Sequence, residues 1–143
     1  MDFKELKSSL IGGDEIQKIE VLSFLSDVFE SYNKNIEGFE EIVHLLIDIF
    51  VEEKSLEIKC EILETLAKGA IYQDIHLIDL SKLENNLERI SDKCLSRCID
   101  IFGFTHDTKY LEIIKKYQNH DDESIRESVD EAIREILESN IKQ

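Results

Sequence analysis

The chain has 143 residues, of which 17 are basic and 32 are acidic, so its formal net charge is −15 at pH 7. This balance excludes nucleic acid and anionic membrane surfaces as expected partners, because binding to them needs clustered Lys and Arg. The chain also lacks an apolar run near the roughly 20 residues that span a bilayer, and it begins without the pattern of a signal peptide.

The cysteines and the turn-forming residues indicate an intracellular helical protein. Cys60, Cys94 and Cys98 are an odd number of cysteines, which is typical of reduced cytosolic thiols. There is no proline and there are only five glycines, so little in the chain breaks helices or supplies the turns of an all-β fold. We expect a cytoplasmic, monomeric, all-α protein with a single domain over residues 1–143.

Apolar residues spaced by three and four predict eight helices along the chain. In order, these helices cover about residues 2–11, 14–32, 37–53, 55–71, 82–90, 91–102, 107–117 and 123–139. Asp14 and Ser55 are predicted N-caps, whereas Gly12–Gly13 and Gly103 are predicted helix ends. The pattern leaves open where a helix starts within residues 72–80.

Large apolar residues of the first two helices are assigned to buried faces. Phe3 and Ile11 share a face with Leu6 and Leu10 in the first helix. Ile16 and Phe24 belong to the apolar set of the second helix.

The even-numbered helices repeat one template at intervals of roughly 30 to 40 residues. One apolar position of the template is occupied in turn by Val21, Ile62, Cys98 and Val129. A second is occupied by Leu25, Leu66, Phe102 and Ile133. Such positions predict buried columns, because one helix pair cannot bury its apolar face without its neighbours.

The last repeat resembles a HEAT repeat. It contains Leu111 and Ile114, then the acidic turn His120-Asp121-Asp122, then Ile125-Arg126, Val129 and Ala132-Ile133. The earlier repeats match less well, since Leu95 stands where the basic residue is expected. The resemblance implies a short right-handed α-solenoid of about four HEAT-like helix pairs, and it implies no particular activity.

Two polar positions of the template lie three residues apart and therefore side by side on a helix. The fourth position is Glu20, Glu61, Arg97 and Ser128, and the seventh is Ser23, Glu64, Asp100 and Glu131. In proteins with HEAT repeats the second helix of each pair lines the concave face, so these positions predict an acidic stripe there. The predicted protein-binding residues are Glu20, Ser23, Asp27, Glu57, Glu61, Glu64, Arg97, Asp100, Glu127 and Glu131. The alternative interpretation is an ordinary solvated helix surface.

The remaining polar groups favour structural roles over chemistry. Arg126 follows an acidic turn and is expected to bond to Asp121 or Asp122. Cys94 and Cys98 are interpreted as small buried apolar residues, because no companion ligands stand at zinc-site spacing. The histidines are scattered, and neither a phosphate loop nor a nucleophile–base pair is evident. We therefore expect no enzyme activity, no cofactor and no metal.

The expected function is the binding of a basic protein. In size, acidity and irregular helical repeats the chain resembles immunity proteins of bacterial polymorphic-toxin and contact-dependent growth inhibition systems. That resemblance implies that it neutralises a cognate toxin domain, such as a basic nuclease, by covering its active site. The alternative is a HEAT-repeat scaffold or adaptor for cellular proteins, which would use an apolar groove and depend less on salt.

Overall fold

The structure, a computed structural model, describes residues 2–31 and 33–141. The regular structure of these residues is helical, without strands. The α-helices are α1 (Phe3–Gly12), α2 (Glu15–Glu30), α3 (Phe39–Glu52), α4 (Leu56–Tyr72), α5 (Ser81–Glu84), α6 (Asp92–Phe104), α7 (Leu111–Lys115) and α8 (Glu123–Ile141). The predicted all-α class and the eight helices are thus confirmed for this part of the chain. No helix within it has the length and apolar character needed to cross a membrane.

The chain divides into two compact units, Met1–Asp74 and Ile75–Gln143. The first unit contains α1 to α4, and the second contains α5 to α8. The single domain expected from the sequence stays a prediction, and each unit is described by itself below.

Local side-chain caps begin helices α2 and α4 of the first unit. The Asp14 carboxylate accepts the Gln17 main-chain N–H at 2.8 Å, and the Gln17 side chain accepts the Asp14 N–H at 2.9 Å. Ser55 accepts the Ile58 N–H at 3.3 Å. Both predicted N-caps are therefore confirmed.

The predicted helix end at Gly12–Gly13 is confirmed, but neither glycine adopts the left-handed conformation that often ends a helix. Gly12 is the last residue of α1, and Gly13 is extended, with φ −74° and ψ 159°. The Gly13 N–H donates to the Ser9 carbonyl oxygen at 3.0 Å, which closes the last turn without a left-handed residue. The extended Gly13 is followed directly by Asp14, the N-cap of α2, so no residues remain for a longer turn.

Helices α2 and α4 pack side by side and run in the same direction. Near their middles, the Thr65 hydroxyl lies 2.8 Å from the Ser26 hydroxyl and 3.1 Å from the Leu22 carbonyl oxygen. At their ends, the Gln73 side-chain amide donates to the Phe29 carbonyl oxygen at 2.7 Å. Thr65 and Gln73 are both buried, so these hydrogen bonds satisfy polar groups that water does not reach.

Helices α1 and α3 form the other layer of the first unit. Helix α1 packs on α2, α3 packs on α4, and α1 also contacts α3. The fully buried Leu22, Phe29, Leu46 and Ile62 fill the space between the layers. The α2/α4 layer consequently has one side on this core and one side in solvent.

The second unit begins with irregular structure where the sequence predicts a helix over residues 82–90. Helix α5 ends at Glu84, and a 3₁₀ turn covers Leu87–Arg89. The Asn86 side chain donates to the Lys82 carbonyl oxygen at 2.7 Å, in competition with the helical hydrogen bonds. The break still buries both Leu83 and Leu87. An isolated 3₁₀ turn, Ile75–Leu77, lies in the stretch that the sequence leaves open.

The seventh predicted helix is also shorter than expected. A 3₁₀ turn at Thr108–Tyr110 precedes α7, which ends at Lys115. Asp107 caps this 3₁₀ turn, because its carboxylate accepts the Lys109 N–H at 2.9 Å.

Gly103 does not end the sixth helix, contrary to the prediction. Helix α6 continues through it to Phe104, and His106 takes the left-handed conformation, with φ 58°. A Cβ atom at Gly103 would lie 2.8 Å from both the Cα and the Cβ of Ala132. Gly103 is therefore required for the close approach of α6 and α8.

Helices α6 and α8 also run in the same direction. The Ser96 and Ser128 hydroxyls are 2.6 Å apart near the beginning of the contact. His106 Nε2 and Glu135 Oε1 are 2.9 Å apart near its end. Each unit thus contains a parallel pair of even-numbered helices.

The predicted buried columns are largely confirmed. Val21, Ile62, Cys98 and Val129 are all buried. In the second column Leu25, Leu66 and Phe102 are buried, and Ile133 is half-buried.

Arg126 stabilises the turn that precedes α8, as expected, although its acceptors differ from the predicted carboxylates. Its Nη1 donates to the carbonyl oxygens of His120 at 2.7 Å and Asp121 at 2.9 Å. His120 Nδ1 accepts the Asp122 N–H at 3.0 Å, which closes the same turn. The acidic turn is therefore held by hydrogen bonds that the Arg126 and His120 side chains make to main-chain groups.

We expect Gly103→Ala to lower the free energy of unfolding by about 1–3 kcal/mol, because the added methyl group overpacks α6 against the backbone of α8. Gly12→Ala is the matched control, since a Cβ there meets no atom within 4 Å. Urea unfolding followed by circular dichroism measures both. Equal stability of the two variants would contradict the close-approach explanation.

We expect Arg126→Met to cost about 1–2 kcal/mol, because two carbonyl oxygens lose a charged donor. Arg134→Met on the exposed side of α8 is the control, and it should leave thermal unfolding almost unchanged. Comparable losses in both variants would show that general charge, and not the turn, is responsible.

Candidate protein-binding surfaces

The predicted binding residues on α2 and α4, which are acidic except for Ser23, lie together on the solvent side of the first unit. They form two neighbouring rows on parallel helices, Glu20, Ser23 and Asp27 on α2, and Glu57, Glu61 and Glu64 on α4. Glu61 is half-buried and the others are exposed, whereas Val21, Leu25, Ile62 and Leu66 point into the core. We call this surface the acidic face.

Nearby basic residues leave most of the acidic face uncompensated. Lys68 of α4 forms a salt bridge with Glu30 of α2, in which Lys68 Nζ lies 3.3 Å from Glu30 Oε2. Lys59 is directed towards α3, with its Nζ 5.4 Å from the centre of the Phe50 ring. In the described part of the chain no salt bridge involves Glu20, Asp27, Glu57 or Glu61. The face therefore keeps a strong negative charge.

Apolar side chains are exposed beside these carboxylates, and the sequence assigns two of them, Ile16 and Phe24, to a buried face. Ile16 is 70% exposed and Phe24 is 46% exposed on α2. Ile71 is exposed at the end of α4. Their helical phase could have shown this, because Ile16 and Phe24 are out of register with the buried Val21, Leu25 and Phe29. The acidic face thus offers apolar contacts as well as charge.

The predicted binding residues of the second unit are in part paired with each other. Arg97 Nη1 lies 3.4 Å from Asp100 Oδ2, one helical turn away. These two residues, with Glu131 and Glu135, line a cavity of about 150 Å³ between α6 and α8. Glu127 and Glu131 are exposed. Arg97 and Asp100 are therefore occupied within the unit, which makes them weaker candidates than the carboxylates of the acidic face.

Burial raises the pKa of the Asp100 carboxyl above its ordinary value of 3.8. A hydrogen bond from Ser128 and the charge of Arg97 act in the opposite direction, whereas Glu131 raises the pKa further. The result is a carboxyl group whose charged form is disfavoured where α6 meets α8.

The cysteines and histidines are dispersed in the structure. Cys94 and Cys98 are both buried within α6, as expected of small apolar residues. His106 pairs with Glu135, and His120 lies in the turn before α8. The described residues contain no group of three or more side chains suited to hold a metal ion.

A second surface, not anticipated from the sequence, is an apolar groove between α1 and α3 with a volume of about 630 Å³. Helix α1 contributes Phe3, Leu10 and Ile11, and α3 contributes Leu45 and Ile49. Phe3 is 42% exposed and Ile11 is 60% exposed, although the sequence places both on a buried face. We call this surface the α1/α3 groove.

Comparison with known proteins gives no match, whether to a family model, to a curated protein or to a solved structure. Functional interpretation therefore depends on the surfaces described above.

The raised pKa of Asp100 leads to a prediction about how the stability of the protein depends on pH. Because its folded-state pKa is raised, its contribution to stability is fully present below the unfolded pKa and is lost as the pH rises through the folded pKa. Asp100→Asn does not titrate, so its stability relative to wild type should increase between about pH 3 and pH 7. Urea unfolding at several pH values measures this difference.

The matched control for that measurement is Asp130→Asn, at an exposed aspartate of α8. A difference between Asp100→Asn and wild type that stays constant with pH, or that shrinks as the pH rises, would contradict the assigned effect of burial.

Proposed function

We propose that the protein is a non-enzymatic binding module whose acidic face docks a basic protein. The observation that carries this proposal is the pair of parallel acidic rows on α2 and α4, where Glu20, Asp27, Glu57 and Glu61 take part in no described salt bridge. Fixed negative charge of this kind accelerates the approach of a positive partner and makes association sensitive to salt.

The exposed apolar residues of the acidic face supply the second requirement of a binding site. Exposed charge pairs contribute only about 0–1 kcal/mol each, so tight binding also needs apolar anchors that become buried. Ile16, Phe24 and Ile71 are exposed in the first unit and are suited to this role. Charge would then govern the rate of encounter, and the apolar contacts would slow dissociation.

We further propose that the partner is a cognate bacterial toxin domain and that the protein acts in the cytoplasm as its immunity protein. A nuclease domain carries a basic active site for phosphate groups, and the acidic face is complementary to such a site. Inhibition would follow from occlusion of the active site, without any chemistry by this chain. The arrangement of the four helix pairs as a HEAT-like solenoid remains part of this proposal.

The α1/α3 groove favours a second candidate function, that of a scaffold or adaptor for cellular proteins. The apolar floor of this groove would hold a partner by burial of apolar surface, a contribution that depends little on ionic strength. The two candidates therefore differ in the surface that the partner covers and in the number of partners.

The test uses immobilised protein and a lysate of its own organism, at low and high salt, with identification of the retained proteins. We expect one basic toxin domain to be retained at low salt and released by salt. We expect the combined variant Glu20→Gln, Asp27→Asn, Glu57→Gln and Glu61→Gln to bind that domain about tenfold or more weakly, because four exposed charge pairs are lost.

The matched control carries the same change of net charge at exposed carboxylates outside the acidic face, Glu40→Gln, Glu88→Gln, Glu112→Gln and Glu138→Gln. It should bind like wild type and should still inhibit the toxin. Retention of several housekeeping proteins at high salt would support the adaptor instead. Equal weakening by both variants would reject the acidic face as the docking site.

A further inference from the structure

The α1/α3 groove has an acidic rim as well as an apolar floor. Glu41, Asp48 and Glu52 stand in one line along α3, at spacings of seven and four residues. Glu53 also lines the groove, and it forms a salt bridge with Lys18, whose Nζ lies 3.2 Å from Glu53 Oε2. Besides Lys18, Lys7 is the other lysine among the described residues that line the groove. The rim therefore has more negative than positive groups.

A neighbouring cavity of about 580 Å³ continues the groove past Phe3. Phe3 and Glu41 line both cavities, and the second cavity adds the carboxylates of Asp2 and Glu37. Among the described residues, no lysine or arginine lines this continuation. The described part of the rim thus gains further carboxylates towards the beginning of α1.

The length of the groove fits a helix better than a compact small molecule. Glu41 and Glu52 are eleven residues apart on α3, which corresponds to about 16 Å along the helix axis. Phe3 and Ile11 are the exposed apolar residues that α1 contributes, and they are eight residues apart, or about 12 Å along the axis of α1. That separation is close to the distance between anchors at positions i and i+7 of an incoming helix, which is the usual geometry of a helix bound in a groove.

We propose that the α1/α3 groove binds an amphipathic helix of a partner protein, about three turns long, with an apolar stripe flanked by Lys or Arg. The apolar stripe would cover Phe3, Ile11 and Ile49, and the basic residues would face Glu41 and Glu52. This surface belongs to the α1/α3 layer, whereas the acidic face belongs to the α2/α4 layer. The proposal therefore does not depend on the toxin-binding function.

The probe for the test is a synthetic amphipathic peptide of about 15 residues, with Leu at positions i, i+4, i+7 and i+11 and with Lys on both sides of that stripe. Fluorescence anisotropy measures its affinity, and amide NMR shifts of the full-length protein locate its site. We expect the shifts to concentrate on α1 and α3. We expect a peptide with Glu in place of every Lys to bind about tenfold or more weakly.

Two variants test the two parts of the groove. The double variant Glu41→Lys with Glu52→Lys should weaken binding about tenfold or more, because two attractive pairs become repulsive. Ile11→Ser should weaken binding by a similar factor through loss of an apolar anchor. All three positions are exposed, so circular dichroism should show folded protein in both cases.

The matched control is Asp27→Lys with Glu57→Lys, which makes the same change of net charge on the acidic face. It should leave peptide affinity within about twofold of wild type, because these positions lie outside the groove. The proposal is overturned if this control weakens binding as much as the groove variant, or if the shifts fall on α2 and α4. It is also overturned if the Glu peptide binds equally well, or if the protein self-associates through the groove and excludes the peptide.

Discussion

The parallel contact between α2 and α4 determines which side of the first unit is charged. Thr65 bonds to both Ser26 and the main chain of Leu22, and Gln73 bonds to the main chain of Phe29. A shift of either helix by one residue would break these hydrogen bonds and leave the buried Gln73 amide unsatisfied, at a cost of about 1–3 kcal/mol. The same contact directs the acidic rows of both helices towards solvent. The packing of α2 on α4 therefore also determines where the negative charge lies.

The second unit repeats this arrangement with different chemistry. Gly103 lets α6 approach Ala132 of α8, and the Ser96 and Ser128 hydroxyls meet between the two helices. Arg97 and Asp100 pair in the second unit, whereas Glu20 and Asp27 on the acidic face of the first unit join no described salt bridge. Similar sequence templates thus give one surface suited to bind a positive partner and one in which part of the charge is already compensated.

Repetition and helix caps were predictable from the sequence because they depend on local spacing. Asp14 and Ser55 cap their helices, and Val21, Ile62, Cys98 and Val129 are buried. The role of Gly103 was not predictable, since it depends on Ala132, 29 residues further along the chain. Phe3 and Ile11 are apolar but exposed, because composition alone does not tell which apolar residues a small two-layer unit covers. The exposure of Ile16 and Phe24 follows from their helical phase. The spacing of the carboxylates on α2 and α4 thus predicts that they share a surface, whereas the α1/α3 groove could not be predicted.

The central claim, that the acidic face of α2 and α4 receives a basic partner, is tested most directly by carboxyl footprinting of the complex. Exposed carboxylates are labelled with a carbodiimide and an amine, and mass spectrometry reports the labelling of each residue with and without the captured partner. The claim predicts protection of Glu20, Asp27, Glu57 and Glu61, while Glu112 and Glu138 stay labelled. Unchanged labelling of the acidic face, with protection elsewhere on the chain, would contradict it.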